Sequence, residues 1–72
     1  MTTIKVGEAF RCLRTLGHSL TIGEWYKVAE LYTIEEDSSY PLIVNVYIRD
    51  DRDDLIVIDR ETFLMSFSRY KS

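Results

Sequence analysis

The chain has 72 residues and a formal net charge of −3, with 46% hydrophobic and 12% aromatic residues. This length suits a single domain spanning residues 1–72, and the hydrophobic content excludes a disordered chain. No apolar run approaches the ~20 residues of a membrane-spanning helix, and the first residues lack the apolar stretch of a signal peptide. We therefore expect a cytoplasmic protein with no membrane partner.

Acidic residues are concentrated in the second half of the chain. Residues 35–61 carry nine acidic residues against three arginines, whereas residues 1–34 carry a net charge of +1. Affinity for a nucleic-acid backbone depends on clustered lysines and arginines, which are scattered here. The charge distribution thus argues against a nucleic-acid partner. A base-stacking barrel remains the alternative, because the chain has aromatic side chains that could serve as platforms, namely Trp25, Tyr32, Tyr40 and Tyr47.

The first strand is predicted over Ala9–Thr15, with Phe10 and Cys12 on one face. Cys12 is the only cysteine, which excludes an intramolecular disulfide and a thiolate metal cluster within one chain. A reactive thiol needs an exposed, electropositive site. The alternation instead favours a buried, inert thiol.

A loop over Leu16–Gly23 is predicted to lead into a second strand, from Trp25 to about Ile34. Tyr26 and Val28 would face inward at first. Further along, the apolar position shifts to Leu31, which indicates a bulge or a strong twist near Glu30.

The second half begins with a predicted loop over Glu35–Pro41, followed by a strand over Leu42–Arg49 that is rich in β-branched residues. Next comes an acidic turn, Asp50–Asp54. The segment Leu55–Ile58 is apolar at every position, so we expect a strand that is central or covered on both faces.

The C-terminal segment has two interpretations. In the favoured one, Asp59 caps a single 3₁₀ or α-helical turn ending at Thr62, and Phe63–Tyr70 is the last strand. That strand would point three side chains inward, Phe63, Met65 and Phe67. In the competing one, a helix begins at Asp59 and continues toward Tyr70.

Five short strands with a one-turn helix before the last predict an all-β protein, a small and strongly bent barrel. The motif Leu20–Val28, Leu-Thr-Ile-Gly-Glu-Trp-Tyr-Lys-Val, together with Lys5-Val6-Gly7, Phe10–Leu13 and Phe63, resembles small bacteriophage-encoded SH3-like barrel proteins. The resemblance covers residues 4–68 and implies a five-stranded SH3-like barrel. It further implies an accessory protein of the infected cell that inhibits or modulates a host enzyme or defence system. The acidic turn departs from the pattern, since it has Arg52 among aspartates where an Asp-Gly is usual.

The sequence indicates no catalytic, cofactor or metal site, so we expect a protein that is not an enzyme. His18 is the only histidine, and although Asp53 or Asp54 could approach it, a solvated loop histidine is favoured. The acidic turn lacks the ligand spacing and internal glycine of an EF-hand calcium loop. No phosphate-binding or hydrolase motif occurs.

The first loop and the acidic turn should meet, because successive connections of a meander alternate between the two ends. That end would combine apolar residues with a charged rim, the usual anatomy of a protein-binding patch. The predicted function is therefore binding of a bacterial host protein by a monomer or weak homo-oligomer. The competing interpretation makes this end structural, with Leu20 and Ile22 closing the barrel and the aspartates only solvating it, and a site at Glu35–Tyr40 is a further possibility. The predicted partner-binding residues are Leu20, Ile22, Asp50, Asp51, Asp53 and Asp54.

Overall fold

The computed structural model describes residues 3–34 and 42–70. Five antiparallel strands form a sheet in the order β4-β3-β2-β1-β5, which curls into a half-barrel and carries one short helix. The predicted loop Glu35–Pro41, including the possible second site at Glu35–Tyr40, lies outside the described residues. The elements are β1 (Ala9–Cys12), β2 (Trp25–Ile34), β3 (Leu42–Arg49), β4 (Leu55–Asp59), α1 (Arg60–Ser66) and β5 (Phe67–Ser68).

The long strand β2 curls the sheet because it pairs with β1 near its start and with β3 over the rest. Val28 pairs with Ile48 and Glu30 with Tyr47, so Ala29 is an extra residue in β2. The bulge predicted near Glu30 is confirmed. It shifts the inward phase from Val28 to Leu31, and an extra residue of this kind increases local twist.

The core lies on the concave side of the sheet, and ten apolar residues of the described part of the chain are buried in it. Three phenylalanine rings meet at its centre: Phe63 contacts Phe10 edge to face, with centroids 4.9 Å apart, and stacks on Phe67 at 4.6 Å. The inward positions predicted for Phe10, Cys12, Tyr26 and Val28 are confirmed. In β3, Val46 and Ile48 are buried, but Leu42, which alternation places on the same face, is 51% exposed. The buried apolar residues are Ile4, Phe10, Cys12, Leu20, Val28, Val46, Ile48, Ile58, Phe63 and Phe67.

The prediction that Leu55–Ile58 is central or covered is wrong. β4 is an outer strand of the sheet among the described residues, paired with β3 alone. Ile56 and Ile58 face the core, whereas Leu55 and Val57 are 43% and 50% exposed on the outer face. The apolar residues on the outer face of β4 therefore form an exposed apolar surface and are not covered by another element that the structure describes.

The favoured interpretation of the C-terminal segment also needs correction. Asp59 caps the helix as predicted, accepting a hydrogen bond from Thr62 N at 3.1 Å. However, α1 has seven residues instead of one turn, and β5 has only two. Phe63 in α1 and Phe67 in β5 are both buried, whereas the helix turns Met65 outward, 65% exposed, where a strand would have buried it.

Strand β1 is shorter than predicted, ending at Cys12 instead of Thr15. Just after the strand, Leu13 N donates to Ser66 O at 2.7 Å, which holds the backbone that follows β1 against the C-terminal end of α1. Among the described residues, no helix is long and apolar enough to cross a membrane.

Candidate functional site

The first loop and the acidic turn meet at one end of the half-barrel, as predicted. Thr21 Oγ1 donates to Asp51 Oδ2 at 2.6 Å, and Tyr26 Oη donates to Asp51 Oδ1 at 2.7 Å. The backbone closes the junction, since Asp51 N donates to Ser19 O at 2.8 Å. We call this region, residues 19–22 together with residues 50–54, the loop–turn end.

Asp50 organises the acidic turn from within. Its carboxylate oxygen Oδ1 accepts hydrogen bonds from Arg52 N and Asp54 N, both at 2.9 Å. Asp50 is only 9% exposed. Because short polar side chains that bind nearby backbone amides stabilise turns, Asp50 has a structural role.

Asp53 replaces the glycine that this turn lacks. Its φ is +64°, in the left-handed region that aspartate tolerates better than most residues. Its side chain is 87% exposed and lies 3.9 Å from Arg49 Nε, and Arg52 Nη2 lies 3.5 Å from Asp54 Oδ2. Exposed pairs of this kind contribute little stability. Together, residues 49–54 contain four aspartates and two arginines, which gives the acidic turn a formal charge of −2.

The six predicted binding residues fall into two groups by burial, one buried and one exposed. Leu20 is 8% exposed and packs in the core, and Asp50 is internal to the turn. Ile22 is 65% exposed, and Asp51, Asp53 and Asp54 are exposed as well. The apolar surface predicted here thus comes from Ile22, one residue from the Thr21–Asp51 bond.

Two further exposed apolar residues, Leu13 and Trp25, lie on neighbouring chain segments and were not among the predicted binding residues, although Leu13 also lines a groove beside β5. Each is 41% exposed. Gly23 N donates to Cys12 O at 2.8 Å and Cys12 N donates to Glu24 O at 2.9 Å, so the chain segments that carry Leu13, Ile22 and Trp25 run side by side. The alternation of β1 places Leu13 on the face opposite Cys12, and this outward phase was the available sign of its exposure.

The hydrogen bonds between the first loop, β2 and the acidic turn shift the pKa values of Asp51 and Tyr26. The hydroxyls of Thr21 and Tyr26 donate to Asp51 and hold the pKa of its carboxyl below its ordinary value. Burial, together with the same bond to Asp51, raises the pKa of the Tyr26 hydroxyl. Asp51 is therefore a carboxylate and Tyr26 a neutral phenol at neutral pH, so Asp51 supplies a fixed negative charge beside Ile22.

Cys12 and His18, the two side chains considered for chemistry in the sequence, do not belong to a metal-binding group in the part of the chain that the structure describes. Cys12 is fully buried, burial raises the pKa of its thiol, and its Sγ donates to Arg14 O at 3.2 Å. The prediction of a buried thiol is confirmed. His18 is exposed, and residues 3–34 and 42–70 contain no group of three or more His, Cys, Asp or Glu side chains that could hold a metal ion.

A groove of about 470 Å³ lies beside β5 and is lined by aromatic and aliphatic side chains with Arg69. The guanidinium group of Arg69 is already engaged: it lies 5.1 Å from the centroid of the Phe10 ring and 3.3 Å from Glu8 Oε2, and it donates to Thr3 O. Arg69 therefore secures the N-terminal segment against the core, and its guanidinium group is not available to a ligand in the groove.

Comparisons of this chain with protein-family models, with curated proteins and with solved structures find no match.

Proposed function

We propose that the protein is a phage-encoded, SH3-like barrel of the host cytoplasm that has no enzymatic activity and binds a bacterial host protein through the loop–turn end. The observation that carries this proposal is the exposed Ile22, held beside the acidic turn by the 2.6 Å bond between Thr21 and Asp51. The resemblance of residues 4–68 to phage SH3-like proteins supports the host partner, whose inhibition or modulation would serve takeover of the cell or evasion of its defences.

The chemistry of this end suits a protein partner. Ile22, with Trp25 three residues further along the chain, supplies exposed apolar area, and aromatic residues are enriched in protein interfaces. The carboxylates of Asp53 and Asp54 supply an acidic rim. Such a rim selects a basic partner surface and accelerates encounter more than it adds affinity.

The loop is also held in place before any partner arrives. Asp51 joins Thr21, Tyr26 and the backbone of Ser19, so Ile22 projects from a segment anchored to both β2 and the acidic turn. A preorganised loop loses less conformational entropy on binding. This is the physical basis for selective recognition by so small a protein.

The test is affinity capture from bacterial lysate, comparing the wild-type protein with the double variant Ile22→Ser, Asp53→Lys. Both substituted side chains are strongly exposed, so the double variant should fold, with a loss of stability limited to about 1 kcal/mol from lysine at the positive φ of position 53. We expect the wild type to retain one host protein that the double variant loses. With the purified partner, Asp53→Lys alone should slow association and reduce its dependence on salt.

Met65→Ser is the matched control, because Met65 is as exposed as Ile22, 65%, but lies on α1. It should capture the partner as the wild type does. Equal capture by the folded double variant, or loss of capture by Met65→Ser, would contradict the loop–turn end as the binding surface.

The alternative function, binding of single-stranded nucleic acid, has one structural observation in its favour. Trp25 and Tyr32 are 41% and 51% exposed on β2, and Lys27 lies between them on the same strand. Base stacking on such rings is worth ~1–3 kcal/mol per base. An electrophoretic shift at ~50 mM salt distinguishes the two functions, since electrostatic binding is strong under those conditions. We expect no shift, and micromolar binding that weakens steeply with salt would favour the alternative.

A further inference from the structure

The outer edge of β4 is regular and unprotected in the part of the chain that the structure describes. The pairing of β4 with β3 runs without a register shift from Asn45–Asp59 to Arg49–Leu55. Proteins usually protect such edges with a bulge, a proline or a lysine, and Leu55–Asp59 contains none of these. Its three central residues, Ile56, Val57 and Ile58, are all β-branched and favour strand pairing.

We propose that β4 pairs antiparallel with β4 of a second copy of this chain, about a two-fold axis at Val57. In this register Val57 lies opposite Val57 of the second copy, and Ile56 lies opposite Ile58. The position of Asp54 then lies next to that of Arg60 in the other chain, twice per dimer. The edge is therefore complementary to itself in both shape and charge.

The charges select this register over its neighbours. A shift of the axis to Ile56 would oppose Asp53 to Asp59 of the other chain, and like charges opposite each other destabilise a strand pair. A shift to Ile58 would oppose Ile56 to Arg60 and Asp54 to Thr62, so neither charge would lie opposite its complement. The axis at Val57 opposes Leu55 to Asp59, but of the three registers it alone combines an apolar centre with Asp54 opposite Arg60.

Arg60 is well placed for such a contact. The residue is half-buried, and its side chain forms no hydrogen bond or ion pair with the residues that the structure describes. It is also the first residue of α1, where the helix dipole disfavours a positive charge. The side chain of Asp54 is 63% exposed, and its ion pair with Arg52 is a weak surface contact.

Pairing would also extend the apolar surface on the outer face of the sheet. Tyr47 lies directly across from Val57 in the β3–β4 pair. The dimer would therefore place Tyr47, Val57, Val57 of the second copy and Tyr47 of the second copy in one row across two sheets. Cross-strand pairs of aromatic and β-branched residues are a main source of sheet stability.

The test is sedimentation of the wild-type protein from about 10 µM to about 1 mM, the range in which a small interface associates. We expect a monomer–dimer equilibrium that Val57→Lys weakens at least about tenfold. Val6→Lys is the matched control, because Val6 is 60% exposed but precedes β1, and it should dimerise normally.

A charge exchange tests the register. Asp54→Arg alone and Arg60→Asp alone should each weaken the dimer, and the combined variant should restore it. A monomer over the whole range would overturn the proposal, as would a dimer insensitive to Val57→Lys or a combined variant weaker than either single one. The variant Ile22→Ser, Asp53→Lys should still dimerise, so failure of the host-binding proposal and failure of this one are distinguishable.

Discussion

The hydroxyl of Tyr26 donates a 2.7 Å hydrogen bond to Oδ1 of Asp51, although 25 residues separate the two in the chain. The other carboxylate oxygen of Asp51 accepts from Thr21 Oγ1. One exposed carboxylate thus joins strand β2, the first loop and the acidic turn. The position of Ile22, and with it the shape of the loop–turn end, depends on this carboxylate.

Substitution of Asp51 should therefore lower the thermal stability, unlike substitution of a neighbouring exposed acid. We expect Asp51→Lys to lower Tm by several degrees, because it removes both acceptors from Thr21 and Tyr26. Asp54→Lys is the control and should change Tm little, since the side chain of Asp54 forms only a surface ion pair. Thermal unfolding followed by circular dichroism measures both, and equal Tm values would show that the junction does not contribute to stability.

The hydrogen bonds to Asp51 should also make the stability of the fold sensitive to acid. Hydrogen bonds from Thr21 and Tyr26 lower the pKa of Asp51, and bonds from the Thr62 hydroxyl and backbone lower the pKa of Asp59. A carboxyl whose pKa is lowered in the folded state contributes stability that is present above its unfolded pKa and is lost as the pH falls through its folded pKa. Stability should thus decline as the pH falls below about 4.

Urea unfolding as a function of pH measures this decline. We expect Asp51→Asn and Asp59→Asn to be less stable than the wild type near neutral pH and to lose less on acidification. A variant with Thr21→Val and Tyr26→Phe keeps the carboxylate of Asp51 but removes its donors, so it should lose less stability as well. A decline as steep as that of the wild type in all three variants would contradict the assignment.

A charge in the core should unfold the protein. Val28 and Val46 are 1% and 0% exposed on adjacent strands. Burying an unpaired carboxylate costs several kcal/mol, against a total stability of about 5 kcal/mol for a small domain. We expect Val28→Asp and Val46→Asp to lose the native circular dichroism spectrum, whereas Val6→Asp, at a site 60% exposed, should retain it. Cooperative melting of either core variant would show that the inward phases are wrong.

The positive φ of Asp53 predicts which substitutions the acidic turn accepts. Glycine adopts φ near +64° without steric cost, whereas a β-branched residue is strained there. Asp53→Gly should therefore be neutral or stabilising by up to about 1 kcal/mol, and Asp53→Val should destabilise by about 1–2 kcal/mol. Chemical denaturation measures both, and the reverse order would contradict this turn geometry.

Ser66 offers a site for stabilisation. It is 1% exposed, and its Oγ has no hydrogen-bond partner among the described residues. Because an unsatisfied buried hydroxyl costs about 1–3 kcal/mol and alanine favours helices, Ser66→Ala should stabilise by about 1 kcal/mol. Ser68→Ala is the control, since Ser68 Oγ accepts a bond from Tyr70 N at 3.1 Å. It should not stabilise, and a loss of stability in Ser66→Ala would imply an unrecognised partner for the hydroxyl.

Local patterns in the sequence were enough to predict most of the sheet. The bounds of β2 and β3, the inward positions of Phe10, Val28 and Val46, and the bulge in β2 follow from alternation within single strands. The cap at Asp59 likewise depends on neighbouring residues. The meeting of the first loop with the acidic turn followed from the order of the strands, because antiparallel connections alternate between ends.

Long-range packing determined the rest. Alternation cannot show which strand is outermost, and β4 is an outer strand because β5 pairs with β1. Nor can a short apolar run distinguish a helix from a strand: Phe63 lies in a helix whose packing sets its ring against that of Phe10. The same packing buries Leu20 and leaves Ile22 exposed, two residues apart in one loop, so the surface available to a partner depends on contacts between segments distant in the chain.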